Sequence, residues 1–168
     1  MKTYTVYTDG SFGDNGEVHG GIVYWKDGAP SSKVHVMSKR PEFVSMRNVG
    51  GEVLAAWAAI MSVANAVKEE NESTGLETYE MNLIYDYKGL GCWLTHEWKT
   101  NKVATQWFVK SIERILSAVP NLKVNYIWVK GHADTSGNNH ADLVASYDMR
   151  YCKMENIPIC DLDSAIDL

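Results

Sequence analysis

Lys2–Ser11, KTYTVYTDGS, is the stretch on which the reading of this chain turns. Tyr4 and Val6 alternate with Thr3, Thr5 and Tyr7, residue types that suit a half-buried β-strand. The run reaches Asp9-Gly10-Ser11, a carboxylate followed at once by a turn signal. A charge at the end of a buried strand needs a partner, and beside a flexible backbone it can hold a cation near a ligand. On this stretch alone, an ordinary hairpin turn is the commoner use of Asp-Gly. The rest of the chain shifts that balance.

Working outward, a polar loop follows, and then residues 20–25 (GGIVYW) read as a second strand. Lys26-Asp27-Gly28 reads as a turn and residues 31–38 as a third strand, so the chain opens with an antiparallel meander. His35, inside that third strand, is expected to be packed or solvent-facing rather than a ligand. Residues 50–70 are rich in Ala, Leu and Met, with Val53, Trp57, Ile60, Met61, Ala64 and Val67 at helical spacing. This predicts a deep helix with Glu52 in its first turn, where the helix dipole favours a carboxylate. Residues 80–85 (EMNLIY) form a fourth strand that runs into Asp86. A short helix with Trp93 facing inward comes next, then an amphipathic helix over 102–119, stopped by Pro120. Trp107 is expected in the core. Residues 122–128 (LKVNYIW) make a fifth strand, and the loop VKGHADTSGNN leads into a helix over about residues 140–152. The order implies an α/β domain: a five-stranded mixed sheet with helices on both faces. Residues 1–154 form that domain, and 155–168 read as a loosely attached, disordered acidic tail.

At 168 residues, 45% hydrophobic and 22% charged, the chain suffices for a single sizeable core. No apolar run long enough for a bilayer and no signal-peptide core are apparent, so a cytoplasmic protein without membrane contact is expected. Cys92, Cys152 and Cys160 lack metal-site spacing and fit free thiols in a reducing compartment. The net charge of −5 argues against a nucleic-acid partner, but its distribution is uneven. Residues 86–130 carry seven basic side chains against three acidic ones, whereas 155–168 carry four acidic and no basic ones.

Four acids then stand out. Asp9 and Asp86 end two strands, Glu52 opens the deep helix, and Asp142 lies in the last helix. If the first and fourth strands are parallel neighbours, Asp9 and Asp86 share one sheet edge. Carboxylates so placed repel, and burial worsens the repulsion, so the group calls for a cation. Hard oxygen ligands select Mg²⁺ or Mn²⁺ over zinc. Two such ions about 3.5–4 Å apart can activate water and stabilise the leaving oxygen of a phosphodiester.

TDGS after the first strand, Glu at the opening of the long helix, YD after the fourth strand and VKGHADTSGNNHAD together resemble type 1 ribonuclease H. The likeness is to a short bacterial or phage-like form without the basic protrusion, and it covers residues 1 to about 150. It implies a ribonuclease H-like fold and a monomeric endonuclease that cuts the RNA strand of RNA–DNA hybrids. The implied products are 5′-phosphate and 3′-hydroxyl ends, with two Mg²⁺ or Mn²⁺ ions bound alongside substrate. Asp9, Glu52, Asp86 and Asp142 would hold the metals, with Glu52 also near a ribose 2′-hydroxyl. His132 would assist proton transfer or product departure. Gly10, Ser11, Asn15, Asn48 and Asn138 would contact substrate. Trp98 and Lys99, in a polar stretch, would lie against the DNA strand. His140 reads as a capping or surface residue. The chain departs from many relatives in Tyr87-Lys88-Gly89 after Asp86, where a small hydroxyl residue and glutamine are usual. Three other readings stay open: a non-catalytic hybrid-binding module, a nuclease or integrase acting on DNA, and a small-molecule phosphohydrolase.

Overall fold

The computed structural model describes residues 1–74, 77–131 and 136–168. β1 (Lys2–Gly13) does not stop at Asp9-Gly10; it continues in extended form and turns only at Asp14-Asn15-Gly16, where Gly16 takes φ +76°. β2 (Glu17–Lys26) returns antiparallel, with Asp9 opposite Gly21, and β3 (Ala29–Ser38) pairs antiparallel with β2. Strands β1 and β2 are therefore longer than their apolar alternation suggests, because the ladder recruits the small and polar residues around the turn.

After the short α1 (Pro41–Val44) comes α2 (Asn48–Thr74), then β4 (Tyr79–Tyr85), parallel to β1. α3 (Gly89–Leu94) and α4 (Val103–Ser117) lead to β5 (Leu122–Trp128), parallel to β4. The expected last helix is two: α5 (Ser136–Ala145) and α6 (Arg150–Met154), divided at Met149, whose φ of 57° is left-handed. The chain closes with β6 (Ile159–Asp161), parallel to β3. The sheet thus has six strands, in the order β5-β4-β1-β2-β3-β6, one more than the sequence suggested.

The main core lies between one sheet face and α2 backed by α4. It joins Val6, Leu83, Leu54, Ile60, Trp57, Phe108 and Trp107, and the Trp57 indole donates to Ser111 Oγ at 2.8 Å. Trp93 packs against this core half-exposed. Small residues let α2 sit directly on the sheet: a Cβ added at Gly20 would come 2.8 Å from the Ala55 methyl. Contrary to the sequence expectation, the stretch Asn48–Asn71 of α2 is long and apolar enough to cross a bilayer, but 72% of that window is buried inside the protein. α5 covers the opposite face over a smaller cluster of Val23, Ala141, Val144, Cys152 and Ile157.

The C-terminal segment is not the loose tail its weak periodicity suggested. β6 takes the edge of β3, Asp163 accepts from Ser38 Oγ at 2.5 Å, and Ile166 is buried. Asp167 then accepts from the Trp107 indole at 2.9 Å and pairs with Arg114, and these contacts hold its carboxyl below the usual range, the indole most. The segment straps β3 to α4. Truncation after Asn156 would expose the β3 edge and remove the buried Ile157 and Ile166, worth roughly 1.5–3 kcal/mol each. A thermal melt should show the midpoint falling by about 10 °C or more; an unchanged midpoint contradicts the strap.

Candidate active site

β4 ends at Tyr85 while its partner β1 runs on, so Asp86 emerges beside Asp9 at the carboxyl end of the parallel pair. Glu52 reaches the same place from above. α2 begins at Asn48, so Glu52 lies beyond its first turn, and the dipole explanation for this residue does not apply. Backbone contact places it instead: a Cβ at Gly10 would overlap Glu52 N and come 2.9 Å from Asn48 O. One Cβ at Gly51 would likewise come 2.9 Å from Ser11 O.

The result is a group of three carboxylates, Asp9, Glu52 and Asp86, with one oxygen from each within 4.8 Å of the others. Asp142, from α5 on the opposite face, stands close enough to act on the Asp9 carboxyl but lies outside that group. Burial pushes the Asp9 carboxyl up from 3.8 to about 7. Asp86 and Asp142 push it further, against the opposing influence of Glu52 and of the Gly10 N–H, which donates to Asp9 at 2.9 Å. Burial also raises Glu52 well above the usual carboxylate range, reinforced by Asp9 and Asp86. Glu52 is 6% exposed, and its Oε2 has no hydrogen-bond partner among the described residues. A buried, unsatisfied carboxylate oxygen facing two more acids fits a hard divalent cation.

The other predicted positions divide. Gly10 N–H is occupied by Asp9, and Ser11 Oγ donates to the Ala145 carbonyl of α5. Asn15 is exposed in the β1–β2 turn, and Asn48 is exposed at the start of α2, beside Gly10. The Asn138 amide, in the first turn of α5, is buried without a partner among the described residues. Trp98 is 41% exposed and stacks edge-on to Trp93 at 6.3 Å. With Lys99, His96, Gln106 and Lys110 it lines an open groove of about 610 Å³. His140 bonds the Ser136 carbonyl, one turn back within α5, at 2.7 Å and meets the Trp25 ring, a contact inside the helix and not a cap. His132 lies outside the described residues; a Cβ on its neighbour Gly131 would stand 3.8 Å from Asp86 Oδ2.

Sequence reasoning missed Trp128. This half-exposed indole donates to the Asp86 backbone carbonyl at 3.0 Å, and the Lys88 amine lies 5.8 Å from its ring centroid. The only available signal was its place at the end of a strand directly before VKGH.

Residues 1–150 match the RNase H family model. The chain belongs to the RNase H family. It is 32% identical over 101 residues to the ribonuclease H of Bradyrhizobium sp. (strain ORS 278), covering 57% of this chain and 64% of that protein. To the ribonuclease H of Rhodopseudomonas palustris (strain BisB5) it is 38% identical over 66 residues, covering 36% and 43% respectively. The aligned part thus spans less than two thirds of either relative. The N-terminal RNase H domain of a Mycobacterium tuberculosis protein superposes with a TM-score of 0.62 at 16% identity, covering 93% of this chain and 99% of that one. LC11-RNase H1 in complex with an RNA/DNA hybrid gives 0.53 at 19%, covering 85% and 99%. These structures share the RNase H fold.

In this member of the RNase H family the acid cluster ties stability to pH in a definite direction. Asp9 binds its proton more tightly folded than unfolded, so its contribution is fully present below pH ~4 and lost as pH rises through about 7. Without metal, the melting midpoint should therefore fall by several degrees between about pH 5 and about pH 8. Asp9→Asn should flatten that slope and raise the alkaline midpoint, and millimolar Mg²⁺ should restore the wild type. A pH-independent wild-type midpoint contradicts the cluster as described.

Proposed function

We propose that this chain is a metal-dependent endonuclease that hydrolyses the RNA strand of RNA–DNA hybrids, leaving 5′-phosphate and 3′-hydroxyl ends. The observation that carries this reading is the convergence of Asp9, Glu52 and Asp86 within 4.8 Å, with a buried Glu52 oxygen left unpaired. The hybrid-bound relative of the same fold points to the substrate class.

Asp9, Glu52 and Asp86, joined by Asp142, would hold two Mg²⁺ or Mn²⁺ ions. Bound there, the ions would supply an activated water and stabilise the leaving oxygen. The carboxylates are oriented in advance, because the close seat of α2 on β1 holds Glu52 without reorganisation. Asn48, exposed beside Gly10, and Asn138, with its unpaired amide, would offer donors to the RNA strand. His132, next in the chain after the Gly131 that borders Asp86, would carry protons or speed product departure. Across the groove, Trp98 and Lys99 would lie on sugars and phosphates of the DNA strand. Recognition would rest on hybrid shape, 2′-hydroxyls and phosphates rather than base edges, so sequence preference should be low and binding salt-sensitive.

The test is cleavage of a hybrid labelled on both strands, with and without Mg²⁺. RNA cut only with metal, and DNA left whole, is the expected result. Cutting of duplex DNA at a comparable rate, or equally fast turnover of a nitrophenyl phosphate ester, overturns it. Asp9→Asn should abolish cleavage while leaving hybrid affinity within a few-fold, which a non-catalytic binding module would not require. Trp98→Ala should raise KM for hybrid about tenfold, consistent with a base or sugar stack of 1–3 kcal/mol, with kcat nearly unchanged. An unaltered KM removes the groove from the binding surface.

A further inference from the structure

Asp142 reaches Asp9 from α5, so its position depends on how α5 is anchored. The helix has little apolar surface beneath it. Its seat at Gly21 is nearly backbone on backbone, since a Cβ there would come 2.6 Å from Ala145 N. The helix ends at Ala145 with its last carbonyls lacking helical donors, and Ser146, not a capping glycine, follows.

Side chains from three other elements fill that gap. His35 Nδ1 on β3 donates to the Val144 carbonyl at 2.5 Å, and Cys152 Sγ on α6 approaches the same oxygen at 3.4 Å. Ser11 Oγ on β1 donates to the Ala145 carbonyl. His35 is fully buried, and its ring has no freedom of tautomer. A carbonyl only accepts, so Nδ1 carries the hydrogen and Nε2 of the neutral ring must accept. His19 Nδ1 stands 2.9 Å from that Nε2 and supplies the donor. The chain of bonds ends at His19: its Nε2 lies 3.3 Å from Glu17, which meets Lys39 at 3.4 Å, but has no hydrogen-bond partner among the described residues. Burial holds both imidazoles below their ordinary pKa, which keeps His35 in the neutral form that its accepting Nε2 requires.

We propose that His35, fixed as its Nδ1–H tautomer by His19, is a positioning residue that anchors the C-terminal turn of α5 and thereby Asp142. Its effect on turnover rests on the nuclease reading; its effect on α5 does not. Two substitutions separate the hydrogen bond from the volume. His35→Asn places an amide N–H where Nδ1 stood, and His35→Phe keeps a ring without the donor.

His35→Phe should lower kcat about tenfold and raise the half-saturating Mg²⁺ by a similar factor, with KM for hybrid within about twofold. His35→Asn should stay within about threefold of wild type in each. In the metal-free proteins, α5 amides from Leu143 to Ser146 should exchange about tenfold faster in His35→Phe than in wild type or His35→Asn. Equal impairment of the two variants, or a His35→Phe variant like wild type, overturns the proposal. Imidazole ¹⁵N spectra of the unaltered protein judge it even if His35→Phe does not fold. They should show His35 protonated at Nδ1 and bare at Nε2, and the opposite tautomer overturns the proposal. A wild type that does not cleave hybrid would sink the nuclease reading, whereas exchange rates and ring spectra would still decide the anchor.

Discussion

The backbone of α2 rests on the backbone of β1 with no side chain between them at Gly10 and Gly51, and the rest of the structure follows from that contact. A Cβ at Gly10 would come 2.5 Å from Gly51 C, nearer than real atoms approach. Such proximity fixes the height and rotation of the helix, and so the place where Glu52 meets the sheet. It also explains why α2 is built of alanines beyond that point: Ala55, Ala56, Ala58 and Ala59 are all buried, which keeps the long helix close along its length. The larger side chains, Trp57 and Ile60 among them, carry the packing towards α4 and the sheet.

What the contact brings together is unfavourable by itself. Three carboxylates meet at a partly buried edge, Glu52 nearly out of reach of water, and a fourth leans in from the other face. The fold offsets this with burial elsewhere, by two cores on opposite sheet faces and a terminal strap. A site maintained at such cost has its acids in place before any ligand arrives, so little reorganisation is needed on binding. The polar anchoring of α5 belongs to the same pattern. Where apolar contact is thin, buried hydrogen bonds fix the element instead.

Much of this was legible in the residues. The parallel pairing of β1 and β4 entered the sequence reading only as a condition, which the structure meets, and the acids at Asp9 and Asp86 were visible. The misreadings have physical causes. Asp9-Gly10 has the composition of a turn, but Gly10 is a glycine because a helix lies on it, so β1 runs through. β6 and its strap are held by single contacts, such as Asp163 with Ser38 and Asp167 with Trp107, across large sequence separations. No local periodicity records such contacts. His35 read as an ordinary packed or surface residue, and His19 drew no reading, because each makes sense only beside the other. Trp128 reads as an ordinary strand residue until its indole is seen on the Asp86 carbonyl.

The most direct measurement is the proton count on Mg²⁺ binding, obtained by calorimetry in buffers of differing ionisation enthalpy. If buried carboxylates are held partly protonated until a cation arrives, binding near pH 7 must release protons, and the release must shrink towards alkaline pH and fall in Asp9→Asn to the share of the buried Glu52. Mg²⁺ binding without proton release at any pH, or release unchanged in Asp9→Asn, would contradict the account.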